Sequence, residues 1–206
     1  MTPHPAKFSK AILAEIAKMD LGFTLDPFSG VGSLANVVGN CVCLEIEPEW
    51  AMQTPGTAVI GNALKLPFRN SCFDSIMTSC VYGNRMSDHH NAKDTSKRNT
   101  YKHYLGRDPN PVSSAIMQYG MHYKWFHQQA WVESLRVLKP NCKFVLNISD
   151  HIRKGEVQPV TEWHIQTLID LGMVLHEAME IATPRLRHGS NYQSRVGYET
   201  LAVFTR

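Results

Sequence analysis

The sequence predicts an α/β protein with a seven-stranded, mostly parallel sheet, helices on both faces and an antiparallel strand at one edge. Short apolar runs alternate with segments of helical period through most of the chain. The last two runs, VLHEAMEI and ETLAVFT, have no helical segment between them, as an antiparallel pair requires. The first run ends in a glycine turn, LDPFSGVGS, where a strand should pass into a helix.

Residues 8–19, FSKAILAEIAKM, place Phe8, Ile12, Leu13 and Ile16 at helical spacing, so a helix leads into the first strand, FTLD. SLANVVG can carry a helix after the turn, CVCLEIE reads as a buried second strand, and PEWAMQ opens a short helix with Pro48 in its first turn. TAVIGNA and FDSIMTS supply the third and fourth strands. YKWFHQQAWVESLRVL is a helix, KFVLNIS a strand, and VTEWHIQTLIDLG a helix closed by Gly172. No period is evident between Gly83 and Pro111, so a long loop insertion (83–111) is expected within a single domain covering 1–206.

A chain of 206 residues with 43% apolar composition can bury a sizeable core, and its net charge of +3 leaves the partner open. The five cysteines are odd in number and lack CxxC spacing, which predicts reduced thiols in a cytoplasmic protein. No apolar run reaches membrane-spanning length, so no membrane association is expected.

Gly30 and Gly32 allow a tight turn that a ligand can approach, and Asp26 at the end of the first strand can accept from a cationic or hydroxylated group. An ordinary glycine turn has the same local pattern. Glu45 falls at the end of the second strand, from which an acidic side chain can bind both hydroxyls of a ribose, with Glu47 as the alternate. Asn62, at the end of the third, can serve an adenine edge or simply a turn.

In order and spacing, DPFSGVG, LEIEPEW, GNALKLPF and FDSIMTSCVY resemble motifs I to IV of the S-adenosylmethionine-dependent amino-methyltransferases that modify exocyclic amines of DNA bases. HPAKFSKAIL is similar to that family's motif X, here preceding motif I. The resemblance implies a Rossmann-like class I methyltransferase fold with S-adenosylmethionine as cofactor. It assigns the methionine end to Phe8, Asp26, Pro27, Phe28, Gly30 and Gly32, the ribose to Glu45 with Ile46 beside it, and the adenine to Asn62 and Ala63. The family usually has Asp where this chain has Asn62, whose amide oxygen can still accept from an amine.

The family's catalytic loop carries a polar residue, two prolines and an aromatic ring; here the sequence is Ser79, Cys80, Val81, Tyr82. The resemblance gives Ser79 and the Cys80 carbonyl the target amine, and Tyr82 the flipped base. Losing the prolines removes stiffness without removing an acceptor. A Cys80 thiolate nucleophile is the alternative, without the usual Pro-Cys context. In the loop that follows, Arg85, Lys97, Arg98 and Lys102, interleaved with Tyr101 and Tyr104, suit a backbone clamp and flipping wedge or else a solvated face. Arg187 lies in a second basic loop. Asp88, His89, His90 and His103 match no closed zinc pattern, and no metal is expected.

The implied activity is methyl transfer to cytosine N4 or adenine N6 of DNA after base flipping. An RNA base methyltransferase, or a degenerate protein keeping only nucleic-acid or cofactor binding, are the competing readings. Target specificity is expected from residues 83–122, from the loop near Arg187 or from a partner chain.

Overall fold

Side chains along the apolar runs sort by alternate position onto the two faces of a sheet. The computed structural model describes residues 2–83, 100–153, 155–183 and 196–206 and shows both faces covered. Leu25, Val42, Leu44, Ile76, Phe144 and Leu146 share one buried cluster with Trp131 and Leu168. Cys41, Cys43, Met77, Val145 and Leu201 share the other with Ile12, Ile16 and Leu34. Strands buried on both faces read as near-continuous apolar runs, which is why they stand out in the sequence.

The seven expected strands are β1 (Thr24–Asp26), β2 (Cys41–Glu45), β3 (Thr57–Ile60), β4 (Phe73–Thr78), β5 (Leu138–Ile148), β8 (Val174–Ala182) and β9 (Tyr198–Thr205). Two further strands, β6 (His151–Arg153) and β7 (Glu156–Gln158), form a separate small hairpin that the sequence analysis did not anticipate. Three-residue strands are too short to show a period. In the main sheet the order is β3-β2-β1-β4-β5-β9-β8, with β1 to β5 parallel. β9 enters between β5 and β8, antiparallel to both. From β1 the chain runs outward through β2 and β3 and then returns to place β4 on the other side of β1. That reversal falls at the carboxyl ends of β1 and β4, the usual ligand position in open α/β sheets.

Helices α1 (Lys10–Ile16), α2 (Pro48–Ala51), α4 (Met121–Val137) and α5 (Val160–Asp170) lie in the expected segments. In α4, Tyr123, Phe126, His127, Ala130, Trp131, Ser134, Leu135 and Val137 are buried, a helical stripe that lies on the sheet. After α5, Gly172 takes φ +92° and the Met173 amide returns to the Leu168 carbonyl, closing the helix. SLANVVG does not form an α-helix; it makes a single 3-10 turn, Ser33–Asn36. Two β-branched residues and a glycine follow directly, which leaves too little helix-favouring chain to propagate further. No helix among the described residues is long and apolar enough to cross a membrane.

The segment expected as one long loop contains a helix, α3 (Tyr101–Leu105), capped by the Thr100 hydroxyl, which accepts the His103 amide. Tyr101 packs on Trp50 of α2, with ring centroids 5.2 Å apart. Arg107 just beyond α3 donates to Glu47 at 2.6 Å and to Glu49 at 2.6 and 2.9 Å. Glu47 is only 1% exposed and also accepts the Asn110 amide at 2.6 Å. It fastens the end of this segment, with Arg107 on Oε2 and the Asn110 amide on Oε1. Removing Arg107 strips a buried carboxylate of its cation, although the guanidinium side is half-exposed and screened. Arg107→Ala should therefore lower stability by about 1–2 kcal/mol, read as a lower urea midpoint with an unchanged slope.

Candidate functional site

The glycine turn is sewn to the end of β2. Both the amide and the hydroxyl of Ser29 donate to the Leu44 carbonyl at 3.1 Å, and the Gly30 amide donates to Glu45 Oε2 at 2.8 Å. Glu45 Oε1 accepts the Glu47 amide at 2.9 Å. Gly30 and Gly32 have φ of +55° and +71°, and a Cβ on Gly32 would stand 2.5 Å from Thr54 Cγ2. Left-handed backbone and close approach together make any other residue strained there.

Two carboxyl groups face this turn. Asp26 Oδ1 accepts the Thr78 hydroxyl at 2.7 Å and the Phe28 amide at 3.1 Å. Asp26 Oδ2 is buried and, among the described residues, has no partner. Burial pushes Asp26 up to about 7, against the hydrogen bonds from Thr78 and Phe28. Glu45 is likewise pushed up to about 7 by burial, with its backbone donors opposing the shift. A buried carboxylate oxygen without a partner among the described residues and a second buried carboxylate on the same turn can serve as acceptors for a cationic, hydroxyl-bearing ligand.

Residues 2–4 cross the same turn. The Thr2 carbonyl accepts from Gln53 Nε2 at 2.9 Å and the Pro3 carbonyl from Trp50 Nε1 at 3.2 Å. His4 meets the rings of Trp50 and Tyr101 edge-on at 4.4 and 5.3 Å. A Cβ on Gly30 would touch its Nε2 at 2.9 Å. Burial lowers His4 to about 4, so it is neutral at neutral pH. In the segment resembling motif X, His4 meets the turn; Phe8 packs instead with the cluster of Ile12, Ile16 and Leu34.

Pro27 is buried, and Phe28 turns towards α4, against Phe126, His127 and Trp131. Ile46 is half-buried directly after Glu45, and Ala63 lies in the core. Asn62 Oδ1 accepts the Leu64 amide at 2.9 Å, so the oxygen assigned to an adenine also closes a turn.

The catalytic-loop candidates follow β4. Ser79 Oγ lies 3.2 Å from Tyr82 Oη. Asn147 of β5 reaches both, its Nδ2 standing 3.2 Å from Ser79 Oγ and 3.3 Å from Tyr82 Oη, and it donates to Glu199 Oε2 of β9 at 2.8 Å. Asn147 Oδ1 is buried with no partner among the described residues. Sequence reasoning missed Asn147 and Glu199. The one available signal was an amide in the apolar run KFVLNIS, at the carboxyl end of the strand that pairs with β4. Cys80 is 3% exposed, and burial pushes its thiol up to about 12, which argues against a thiolate nucleophile.

Of the basic residues assigned to nucleic acid, Arg85, Lys97, Arg98 and Arg187 lie outside the described residues. Lys102 is exposed on α3 and pairs with Asp108 at 2.6 Å. Tyr101 is 4% exposed and packed on Trp50, so it is a core residue and not a flipping wedge. Among the described residues no group of three or more His, Cys, Asp or Glu could hold a metal ion.

The architecture is the Rossmann-like fold of class I methyltransferases. Solved structures share it across most of their length. A chain of the Haloferax volcanii complex containing the Trm112 methyltransferase activator is 13% identical, covering 95% of this chain and 88% of that one, with a TM-score of 0.58. The N-methyltransferase NodS of Bradyrhizobium japonicum, in complex with S-adenosyl-L-homocysteine, is 10% identical over 96% of this chain and 84% of that one, with a TM-score of 0.53. The [4+2]-cyclase SpnF is 12% identical over 95% and 79%, with a TM-score of 0.56. A cyclase among these neighbours means that the fold alone leaves the chemistry open. No protein-family model matches the chain, and no curated protein matches its sequence.

The buried carboxyls set a pH dependence. Asp26, held at about 7 against an ordinary 3.8, keeps a proton in the folded protein that the unfolded chain has released by about pH 5. Its contribution is thus lost as pH rises from about 4 to about 7, and Glu45 acts in the same direction. Asp26→Asn removes one share. Relative to that variant, wild-type stability should fall by up to about 1.4 kcal/mol per pH unit between pH 5 and 7 and then level off. Parallel denaturation curves would mean that Asp26 ionises as freely in the folded state as in the unfolded one.

Proposed function

We propose that this protein transfers the methyl group of S-adenosylmethionine to an exocyclic amine of a DNA base, cytosine N4 or adenine N6. The observation that carries the reading is the contact between two half-sites: Asp26, with its orphan buried oxygen, accepts the Thr78 hydroxyl, and Thr78 leads directly into the Ser79–Tyr82 loop. A cationic ligand at the end of β1 and an amine at the end of β4 would be neighbours. NodS, whose structure holds S-adenosyl-L-homocysteine in the same fold, adds support for the cofactor.

The donor and acceptor set fits that cofactor. Asp26 Oδ2 would take its ammonium group, the Gly30 to Gly32 turn would allow its close approach, and Glu45 would accept the ribose hydroxyls. Ile46, Asn62 and Ala63 would border the adenine. The cofactor supplies a sulfonium methyl group that is already electrophilic. The chain's task is then to align the amine lone pair, exclude water and stabilise positive charge on the nitrogen.

On the target side, Ser79 Oγ and the Cys80 carbonyl accept the amine hydrogens, and the Tyr82 ring stacks on the extruded base, offsetting part of the cost of flipping. Asn147 Nδ2, with one hydrogen on Glu199 Oε2, offers the other to the paired hydroxyls of Ser79 and Tyr82. A partner chain is a further source of target selection; the Trm112 protein in the Haloferax structure is itself a methyltransferase activator.

Incubation with methyl-labelled cofactor and duplex DNA, single-stranded DNA or RNA, followed by nucleoside analysis, tests the reading. Label on cytosine N4 or adenine N6 of DNA is expected. Label confined to RNA would transfer the proposal to RNA, and label at cytosine C5, or none in any arm, would overturn it. Glu45→Ala should weaken cofactor binding roughly 10- to 100-fold by calorimetry, the loss of a hydrogen bond to a charged group. Tyr82→Ala should depress turnover on duplex about tenfold or more while cofactor affinity holds, because base stacking is worth about 1–3 kcal/mol. Cys80→Ala should be mild, since only its backbone has a role.

A further inference from the structure

The Ser79–Tyr82 loop is tied down from behind. Tyr123 of α4 donates its hydroxyl to the Val81 carbonyl at 2.7 Å. The same oxygen lies 2.7 Å from His164 Nε2, and His164 Nδ1 accepts from Trp131 Nε1 at 3.0 Å. Trp131, His164 and Tyr123 are each 0% exposed.

Donor and acceptor inventories fix the direction of this chain. An indole nitrogen only donates, so His164 Nδ1 must be the unprotonated acceptor. The imidazole proton then sits on Nε2 and is donated to Tyr123 Oη, which leaves the tyrosine hydrogen for Val81. No link can be reversed without placing two donors or two acceptors face to face. Burial holds His164 well below its ordinary range, so the relay keeps one protonation state at neutral pH. Next along the chain, the Gly83 carbonyl accepts the Tyr119 amide at 2.8 Å. Cys80 Sγ fills the space beside the relay, 3.7 Å from His164 Nε2 and 4.0 Å from Tyr123 Oη.

We infer that the Trp131–His164–Tyr123 relay is a positioning device: by holding the Val81 carbonyl it sets the backbone between Ser79 and Tyr82 and stiffens the loop. What the loop grips rests on the methyl-transfer reading; that the relay holds the loop does not. A flexible loop must be ordered each time a target enters, and a misplacement of about 1 Å can cost on the order of 100-fold in rate.

Three measurements test the inference. In wild-type protein, long-range proton–nitrogen NMR should show His164 neutral, with its proton on Nε2 and an unprotonated Nδ1; the opposite tautomer, or an imidazolium at neutral pH, would overturn the relay. Tyr123→Phe removes one hydroxyl. Amide exchange in residues 80–83 should rise tenfold or more in that variant while the amides of β1 and β5 keep their protection; unchanged exchange in 80–83 would overturn the positioning role. On a nucleic-acid substrate its kcat should fall about tenfold or more, with the cofactor Kd within twofold of wild type. A wild-type kcat in an active enzyme would likewise overturn it. Should wild-type protein methylate no nucleic acid while exchange in 80–83 still rises in Tyr123→Phe, the functional reading fails and the positioning role stands.

Discussion

The hydrogen bond from Thr78 to Asp26 is the contact on which the rest of the site depends. It lies at the reversal of strand order, where β4 has come back beside β1, and it joins the ends of those two strands. On one side Asp26 presents a buried oxygen that has no hydrogen-bond partner among the described residues; on the other the chain enters the Ser79–Tyr82 loop. The sheet register makes this possible: Thr24 pairs with Ser75 and Leu25 with Ile76, so the ends of the two strands stay level. Thr24 Oγ1 and Ser75 Oγ, 2.9 Å apart, form a second polar tie inside the same strand pair.

Around that seam the protein resolves one conflict repeatedly, between burial and polarity. Glu45 and Asp26 are dry enough to be pushed up to about 7, yet backbone amides and a hydroxyl still aim at them. Those donors favour the ionised form without fully offsetting desolvation, so each carboxyl is poised between its two states. Glu47, two residues on, is as deeply buried, but Arg107 and the Asn110 amide surround its carboxylate. The difference in partners separates Glu45, whose carboxylate meets the Gly30 and Glu47 amides, from Glu47, which a guanidinium also holds, although the sequence LEIE offers both.

The loop after β4 shows a similar division of labour. Ser79 and Tyr82 are braced by Asn147, and Val81 by Tyr123. Helix α4 thus serves two ends: its apolar stripe covers the sheet, and two of the same buried positions, Tyr123 and Trp131, carry the polar groups of the relay. Buried polar chains are stable only when every donor finds an acceptor, which gives this part of the core a single arrangement.

The sequence by itself determined the strand runs, the glycine turn and the acids at strand ends. These follow from local chemistry: two-sided burial demands unbroken apolar runs, and left-handed backbone demands glycine. Asp26, Glu45 and the Ser79–Tyr82 loop were legible because each stands where an apolar run stops. Tertiary structure alone decided the partners. Helix α3 was read as loop because five residues hold no period, and its Tyr101 was read as a surface ring although Trp50 and His4 bury it. Asn147, Glu199, Tyr123 and His164 come together from β5, β9, α4 and α5, at sequence separations that no spacing rule spans. In isolation each looks like an ordinary strand or helix residue. The fold brings them around the Ser79–Tyr82 loop by setting hydrogen-bond distances between chain segments far apart in sequence, and those distances depend on packing against the sheet rather than on local propensity.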